Sequence, residues 1–438
     1  MYDFFQFEIR NLARYRQQIR KLFTKLKERK ALFTTQQAGV NYFSFGLQEA
    51  KLAKLLRNAV VSETYRFQPA KQRVILVNNK HRVIYDFVLL DKIVISVLMS
   101  ILLELAESYL SNQLFSYRKG RRPLHAVKKL CHYIQTQRAQ LKEMGADCHV
   151  LKADIADYTD NIRLDSHSKL WQLVNAMLAK ANCQLTEYQQ ALINSCFRPE
   201  YINLDGLLQC NIKGVPTGSI ASTLAYNLYL SEIDQQMTQI AGLYYSRYSD
   251  DILLAHVEPV ALKIAIERFN QMLSELGLMR KLAKDKALYL TKAGRASVDP
   301  FWLGAHKLIY LGYEVYANGT FMLSTKRQAK LLMAIRQRIA NVLNLCDGKL
   351  PLEKLGNTLC QAINKALQDE TFGEQAVTAL LECNHVGMLK HLDYFIALSI
   401  AEAVSGQRGV KAFRKVSYAK IRRDWQLVSL VKWRISLF

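Results

Sequence analysis

Proline is scarce in this chain, with seven residues among 438, and no Gly/Ser-rich linker, internal repeat or low-complexity segment interrupts it. One continuous multi-lobed protein is expected rather than a string of separate domains. The eight cysteines are scattered, with no Cys-x-x-Cys and no His/Cys cluster. That argues against zinc fingers and disulfide scaffolds and suits a reducing compartment. Long hydrophobic runs are also missing. The longest apolar stretch, Val83 to Leu105, is interrupted by Asp86, Asp91 and Lys92, which reads as a buried helix and not a membrane span. Met1-Tyr2-Asp3-Phe4 leads into a basic helical pattern rather than a signal peptide, so a cytoplasmic location without membrane contact is expected. The last shortage is of acidic side chains. Against 37 Asp and Glu stand 60 Lys and Arg, a net charge of +23 with a pI near 9.6. Such a surface attracts polyanions, and nucleic acid is the commonest.

What is present divides along the chain. Residues 1–62 read as helical and basic, with nine Lys and Arg between Arg10 and Lys30. A solvated helix face and a nucleic-acid or partner surface both remain open for this segment. Arg73–Val77 and Arg82–Tyr85 read as strands around a turn at Asn78–His81. A helix is expected from about Leu90 to Leu110, a basic loop over Phe115–Arg122, and a helix from Pro123 with Ala126, Val127 and Leu130 on one face. His149–Ala153 is a short strand ending at Asp154. Residues 164–200 read as two helices broken near Asn182-Cys183-Gln184. Helices are expected over Ile220 to about Ile233 and near Pro259–Leu276, with strands at Leu288–Leu290 and Ile309–Leu311. From Ser324 onward the pattern is helical and again basic.

The chemistry-bearing residues begin with Tyr248-Ser249-Asp250-Asp251, set between two apolar runs. Adjacent carboxylates at a hairpin tip are costly unless something neutralises them. Asp154 at its strand end and the turn Gly214-Val215-Pro216-Thr217-Gly218-Ser219 give the doublet its weight. Each piece alone is an ordinary turn. Brought together in one sheet, the carboxylates would hold two Mg²⁺ ions roughly 3.5–4 Å apart, the device of nucleotidyl transfer. Hard oxygen ligands suit Mg²⁺, with Mn²⁺ as a substitute. Lys80 and Arg82 lie on a hairpin that could fold over a triphosphate. Lys284 and Lys286 follow Leu276-Gly277-Leu278, and either could serve as a general acid toward pyrophosphate.

Across roughly residues 66–330 these pieces resemble bacterial reverse transcriptases. Arg82–Phe87 and Phe115–Arg122 are similar to the two fingers motifs, Asp154–Ile162 to motif A, Gly214–Leu230 to motif B and Tyr248–Asp251 to the Y-x-D-D of motif C. Leu276-Gly277-Leu278 with its lysines resembles motif D, and Tyr310-Leu311-Gly312-Tyr313 the primer grip. The resemblance implies an α+β right-hand polymerase: a basic helical N-terminal extension over 1–62 and fingers over 63–150. The palm follows at 151–165, a helical insertion at 166–209, more palm at 210–323, and a helical thumb with a basic C-terminal region at 324–438. It implies metal ligation by Asp154, Asp250 and Asp251 with the Ile155 carbonyl, and nucleotide binding by Lys80, Arg82, Asp157, Tyr158, Thr159 and Thr217. Arg118, Arg121, Gly218 and Ser219 would touch template or primer. Partners would be RNA, a DNA product and dNTPs.

Two positions depart from the family. Motif A usually carries Phe or Tyr where Thr159 stands, and its ring blocks a ribose 2′-hydroxyl. Either Tyr158 takes over that task or discrimination against ribonucleotides is relaxed. Motif B often carries Gln where Thr217 stands. Both departures suggest a specialised polymerase. The short helical remainder, with no recognisable HNH or RNase H residue set, resembles the defence-associated and abortive-infection (unknown-group) reverse transcriptases. That resemblance implies a noncoding RNA, a partner protein or a homo-oligomer. Alternatives are a retron- or group II intron-type enzyme copying a cognate RNA, and an inactive RNA-binding scaffold.

Overall fold

A computed structural model describes residues 3–28, 36–37, 40–77, 80–140, 147–165, 167–346, 350–368 and 375–437. Among these the chain forms two compact units, residues 1–122 with 151–286, and residues 123–150 with 287–438.

The first unit opens with α1 (Phe4–Ile9), α2 (Leu12–Glu28) and α3 (Glu49–Val61). Asp3 caps α1 by accepting the Gln6 N–H at 3.1 Å, the arrangement that satisfies a free N-terminal donor. On α2 the buried side chains are Tyr15, Gln18 and Ile19, a one-sided helical spacing. The opposite face keeps its basic residues in solvent, although Arg16 and Arg20 both pair with Glu49.

The hairpin of β1 (Ala70–Val77) and β2 (Lys80–Asp86) follows, with Val77 opposite Lys80. The turn residues Asn78 and Asn79 lie outside the described residues. Helix α4 (Leu89–Ala106) comes next. The apolar stretch from Val83 to Leu105 is therefore shared between a strand and a buried helix. No described helix is long and apolar enough to cross a membrane. Strand β3 (Cys148–Asp154) leads through a short helix to α5 (Lys169–Lys180) and α6 (Glu187–Phe197). Thr186 and Gln189 form a reciprocal capping box at the start of α6. Two short strands absent from the sequence reading, β4 (Glu200–Ile202) and β5 (Leu208–Cys210), complete a four-stranded sheet ordered β2-β1-β4-β5.

Helix α7 (Ile220–Tyr229) is buried nearly all round and packs on α4, α5 and α6. Its small side chains, Ala221, Ser222 and Ala225, permit that close approach. The helix expected to run to about Ile233 instead breaks at Leu230, and α8 (Ser231–Thr238) sets off from there. The central hairpin is β6 (Tyr244–Tyr248) with β7 (Asp251–His256), and β3 lies beside β7. Helix α8 covers β6, and α9 (Pro259–Glu275) covers β7.

The second unit holds the helix Pro123–Gln140, read from the sequence with the fingers. With it come β8 (Lys286–Leu290) and the parallel β9 (Leu303–Ala305). An antiparallel sheet follows, β10 (Lys307–Tyr310), β11 (Tyr313–Tyr316) and β12 (Phe321–Leu323). Three long helices, α10 (Thr325–Cys346), α11 (Leu352–Gln368) and α12 (Val386–Ser405), pack on one another through stripes such as Leu331, Ile335 and Ile339. At Gly356 of α11 a Cβ would lie 2.4 Å from the buried ring of Trp425, so that contact requires glycine.

Candidate active site

Two strand ends build the acidic centre. Asp154 is the last residue of β3. Asp250 occupies the two-residue turn between β6 and β7, and Asp251 begins β7, paired with Tyr248. Ser249, the other turn residue, sits in the left-handed region at φ 60°, where a residue with a Cβ needs support from its surroundings. The Ile155 N–H donates to the Asp250 carbonyl at 3.3 Å, and the Lys281 N–H to the Asp154 carbonyl at 2.7 Å. These bonds fasten the strand end, the catalytic turn and the segment after α9 to one another.

The Asp154 and Asp250 carboxyls are neighbours. Burial pushes the Asp250 carboxyl up to about 6, and the neighbouring Asp154 and Asp251 carboxylates add to the rise. The Lys284 ammonium donates to Asp154, and that hydrogen bond raises its own pKa. Lys286 lies exposed at the start of β8. Of the two lysines, Lys284 therefore reaches the acidic centre. Asp251 extends Oδ1 to within 3.5 Å of Lys152 Nζ. Among the described residues no three His, Cys, Asp or Glu side chains close around one point. The structure brings Asp154 and Asp250 together, while Asp251 reaches toward Lys152.

The glycine turn joins this centre to its surroundings. Gly214 and Val215 donate their N–H groups to the Ile162 and Thr159 carbonyls at 2.9 and 3.0 Å, and the Thr217 carbonyl accepts from Tyr85 N–H at 3.4 Å. Gly214 and Gly218 have φ of 93° and 95°, values open to glycine at little cost. A Cβ on Gly218 would touch Ile84 at 3.8 Å. Arg82 lies two residues before Ile84 on β2 and so shares its face, which puts an exposed guanidinium on the side toward the turn. The side chain of Lys80 lies outside the described residues. Ser219 caps α7 and is buried, whereas Gly218 is exposed.

The Tyr158 ring is buried, and its hydroxyl donates to the Tyr226 carbonyl at 2.7 Å. It is therefore not a free ring at the surface that could replace the missing one at Thr159. Thr159 itself is half-buried. Asp157 is exposed and left-handed at φ 43°, at the N-terminal boundary of the short helix Tyr158–Asn161 that carries Thr159.

The family model for reverse transcriptase (RNA-dependent DNA polymerase) matches residues 69–315, more than half of the chain. This chain belongs to the reverse transcriptase family. Its α+β architecture is accordingly a right-hand polymerase fold. Among solved structures the chain is similar to telomerases. For apo telomerase from Candida tropicalis truncated from its C-terminal domain, identity is 12% and the TM-score 0.44, over 59% of this chain and 55% of that one. For telomerase from Candida albicans with a TWJ fragment of telomeric RNA, identity is 13% and the TM-score 0.44, over 90% of this chain and 71% of that one. This chain thus spans little more than half of the first of these. No curated protein matches it by sequence.

A divalent cation fits the acidic pair of this family member. Its donors are hard carboxylate oxygens, and positive charge there would offset the repulsion that pushes Asp250 up. One expected contact is corrected. Arg118 does not face a template: its side chain is 3% exposed and is paired with Glu107 at 2.6 Å. Its guanidinium also donates to the Ser111 and Leu114 carbonyls, so it clamps the loop from within. Arg121 holds Asn112 through two hydrogen bonds of 2.8 Å. In the second unit, Tyr310 and Tyr313 are buried and Leu311-Gly312 form a left-handed turn. Leu311 and Gly312 at the tip are half-buried, and the tyrosine rings lie beneath them.

Four buried polar residues beneath the catalytic turn escaped the sequence reading. Arg247 pairs with Asp234, and neither side chain is exposed. Ser116 and Asn227 are also fully buried and hydrogen-bonded to each other. A charge at Arg247 inside the tyrosine-rich strand Tyr244–Tyr248, and another at Asp234 four residues past the end of motif B, were the available signals.

Proposed function

We propose that this chain is an RNA-directed DNA polymerase that adds dNTPs to a 3′-hydroxyl by two-metal nucleotidyl transfer, with Mg²⁺ as cofactor and Mn²⁺ as substitute. The observation that carries the reading is the juxtaposition of Asp154, Asp250 and Lys284 at the end of one sheet in a member of this family. A divalent cation held by Asp154, Asp250 and the Ile155 carbonyl would supply Lewis acidity toward phosphoryl oxygen. Asp251 stands beside it and is steadied by Lys152. Arg82 binds the triphosphate as a fork of donors, with Lys80 beside it as a second cation. Lys284 neutralises charge at the centre and is placed to protonate the leaving group, while Asp157, Tyr158, Thr159 and Thr217 line the nucleotide pocket. Preorganised charge of this kind supplies most of the rate in phosphoryl transfer.

The setting proposed is bacterial antiphage defence in the cytoplasm, with an associated noncoding RNA or partner protein and a specialised template. It rests on the motif resemblance and on the small side chains at Thr159 and Thr217. The division into fingers, palm and thumb at the boundaries given above belongs to the same proposal, as do the primer grip at Leu311-Gly312 and template contact by Arg121 and Gly218. The test is incorporation by protein purified with its bound nucleic acid, given labelled dNTPs or rNTPs and Mg²⁺, followed by sequencing of the product. A homopolymer or simple repeat supports specialised synthesis. A defined complementary copy assigns the enzyme to the retron or intron type. Bound RNA without any incorporation contradicts the polymerase reading.

A further inference from the structure

The catalytic turn is held from behind by a residue far away in sequence. Ser249 N–H, the first donor of that turn, points to Ser116 Oγ at 2.9 Å. Ser116 Oγ in turn donates to Asn227 Oδ1 at 3.1 Å, and Asn227 Nδ2 donates to the Ser116 carbonyl at 3.0 Å. The polarity of this chain is determined by chemistry. The Ser116 carbonyl can only accept, so Asn227 must turn its NH₂ toward it and its Oδ1 toward the hydroxyl. The hydroxyl proton is then committed to Asn227, and a lone pair is left facing Ser249. Ser116 and Asn227 are both fully buried, so water cannot substitute for either. The backbone reinforces the contact: Arg247 N–H donates to the Gln113 carbonyl, and Phe115 N–H to the Arg247 carbonyl, each at 3.0 Å.

We infer that Ser116, oriented by Asn227, is a positioning residue that fixes Ser249 in its left-handed conformation and thereby sets Asp250 against Asp154. The inference rests on the proposed polymerase reading of that site. It gives the loop Phe115–Arg122 a role in aligning the acidic pair, in place of a role only at the template. Ser116 touches neither nucleotide nor metal. Its effect is on the geometry of groups that do, where displacement of about 1 Å costs about 100-fold in rate.

The test compares wild type with Ser116→Ala, Ser116→Thr and Ser116→Cys in the full chain. Ser399→Ala serves as a control, because it removes another buried hydroxyl, one that donates to the Phe395 carbonyl in the second unit. Steady-state nucleotide addition is measured beside Mn²⁺ affinity by electron paramagnetic resonance. Ser116→Ala is expected to lower kcat by about 10–100-fold with KM for dNTP near wild type. It is also expected to weaken Mn²⁺ binding by about 10-fold, as loss of an outer-shell partner does. Ser116→Thr, which keeps the hydroxyl, should restore both. Ser399→Ala should leave both unchanged. Ser116→Cys keeps the shape with a weak hydrogen-bonding group and stands in if the alanine variant does not fold. Wild-type kcat and Mn²⁺ affinity in folded Ser116→Ala or Ser116→Cys would overturn the inference. If wild type itself incorporates nothing, the polymerase reading fails instead, and the Mn²⁺ comparison alone still decides whether Ser116 sets the acidic pair.

Discussion

Arg247 and Asp234 meet at 2.6 Å with neither side chain exposed to water. Tyr245 hydroxyl donates to the same carboxylate at 2.7 Å, and the guanidinium also serves the carbonyls of Tyr226 and Asn227. Every strong donor and acceptor is therefore used, which is the condition under which a buried pair is tolerated. It ties the strand before the catalytic turn to the end of α7 and to α8. Asp234→Ala should lower stability by about 3–5 kcal/mol, because it leaves a charge buried without a partner. Urea unfolding checks this, and the double variant Asp234→Leu/Arg247→Met should lose less than the single one.

Sugar selection should depend on Thr159. The Tyr158 ring is buried and its hydroxyl is engaged by the Tyr226 carbonyl, so that ring does not stand free to exclude a 2′-hydroxyl. Wild type is expected to accept rNTPs measurably. Thr159→Phe should raise the ratio of kcat/KM for dNTP over rNTP by about 10-fold or more, a steric penalty of about 1.4 kcal/mol. Single-nucleotide incorporation assays give the ratio directly.

Arg118 should matter for folding and not for nucleic-acid affinity. Its guanidinium is spent on Glu107 and on two loop carbonyls. Arg118→Met is expected to lower the melting temperature by several degrees, about 1–3 kcal/mol, with RNA affinity by fluorescence anisotropy unchanged. Arg82→Met should do the reverse, raising KM for dNTP without a change in melting temperature.

Acid stability of the second unit should report on Glu314. Burial alone would push this carboxyl up, but hydrogen bonds from Lys307 at 2.9 Å and from the Thr325 N–H and hydroxyl at 3.0 and 2.8 Å pull it down to about 2. The unfolded value is about 4.3. A depressed folded pKa stabilises above the unfolded one and is lost as pH falls toward the folded one. The stability difference between wild type and Glu314→Gln should therefore be full above about pH 4.3 and close toward pH 2, read from denaturant melts across that range.

Local signals made much of this legible from sequence. The strand ending at Asp154, the hairpin around Ser249-Asp250 and the helices at Pro123, Lys169 and Pro259 all follow from apolar spacing, turn residues and caps. The acidic pair was readable because two carboxylates at strand ends within a known order of motifs leave few alternatives. What was not legible depends on partners distant in sequence. Arg118 in a basic loop looks like a surface contact until Glu107 and the loop carbonyls enclose it. Ser116 gives no local sign that it meets Ser249 and Asn227. The strands Glu200–Ile202 and Leu208–Cys210 are too short to carry a period, and it is their pairing with each other and with Ala70 and Lys71 that makes them strands. The approach of Asp251 to Lys152 likewise depends on a side chain from another strand.

The most direct test of the central claim is nucleotide incorporation by Asp250→Ala/Asp251→Ala beside wild type, with circular dichroism and melting temperature measured on both. Wild type is expected to incorporate dNTPs in the presence of Mg²⁺ and the double variant to incorporate none, with the fold and melting temperature retained. Incorporation that persists in the folded double variant would contradict the assignment of this acidic centre as the site of polymerisation.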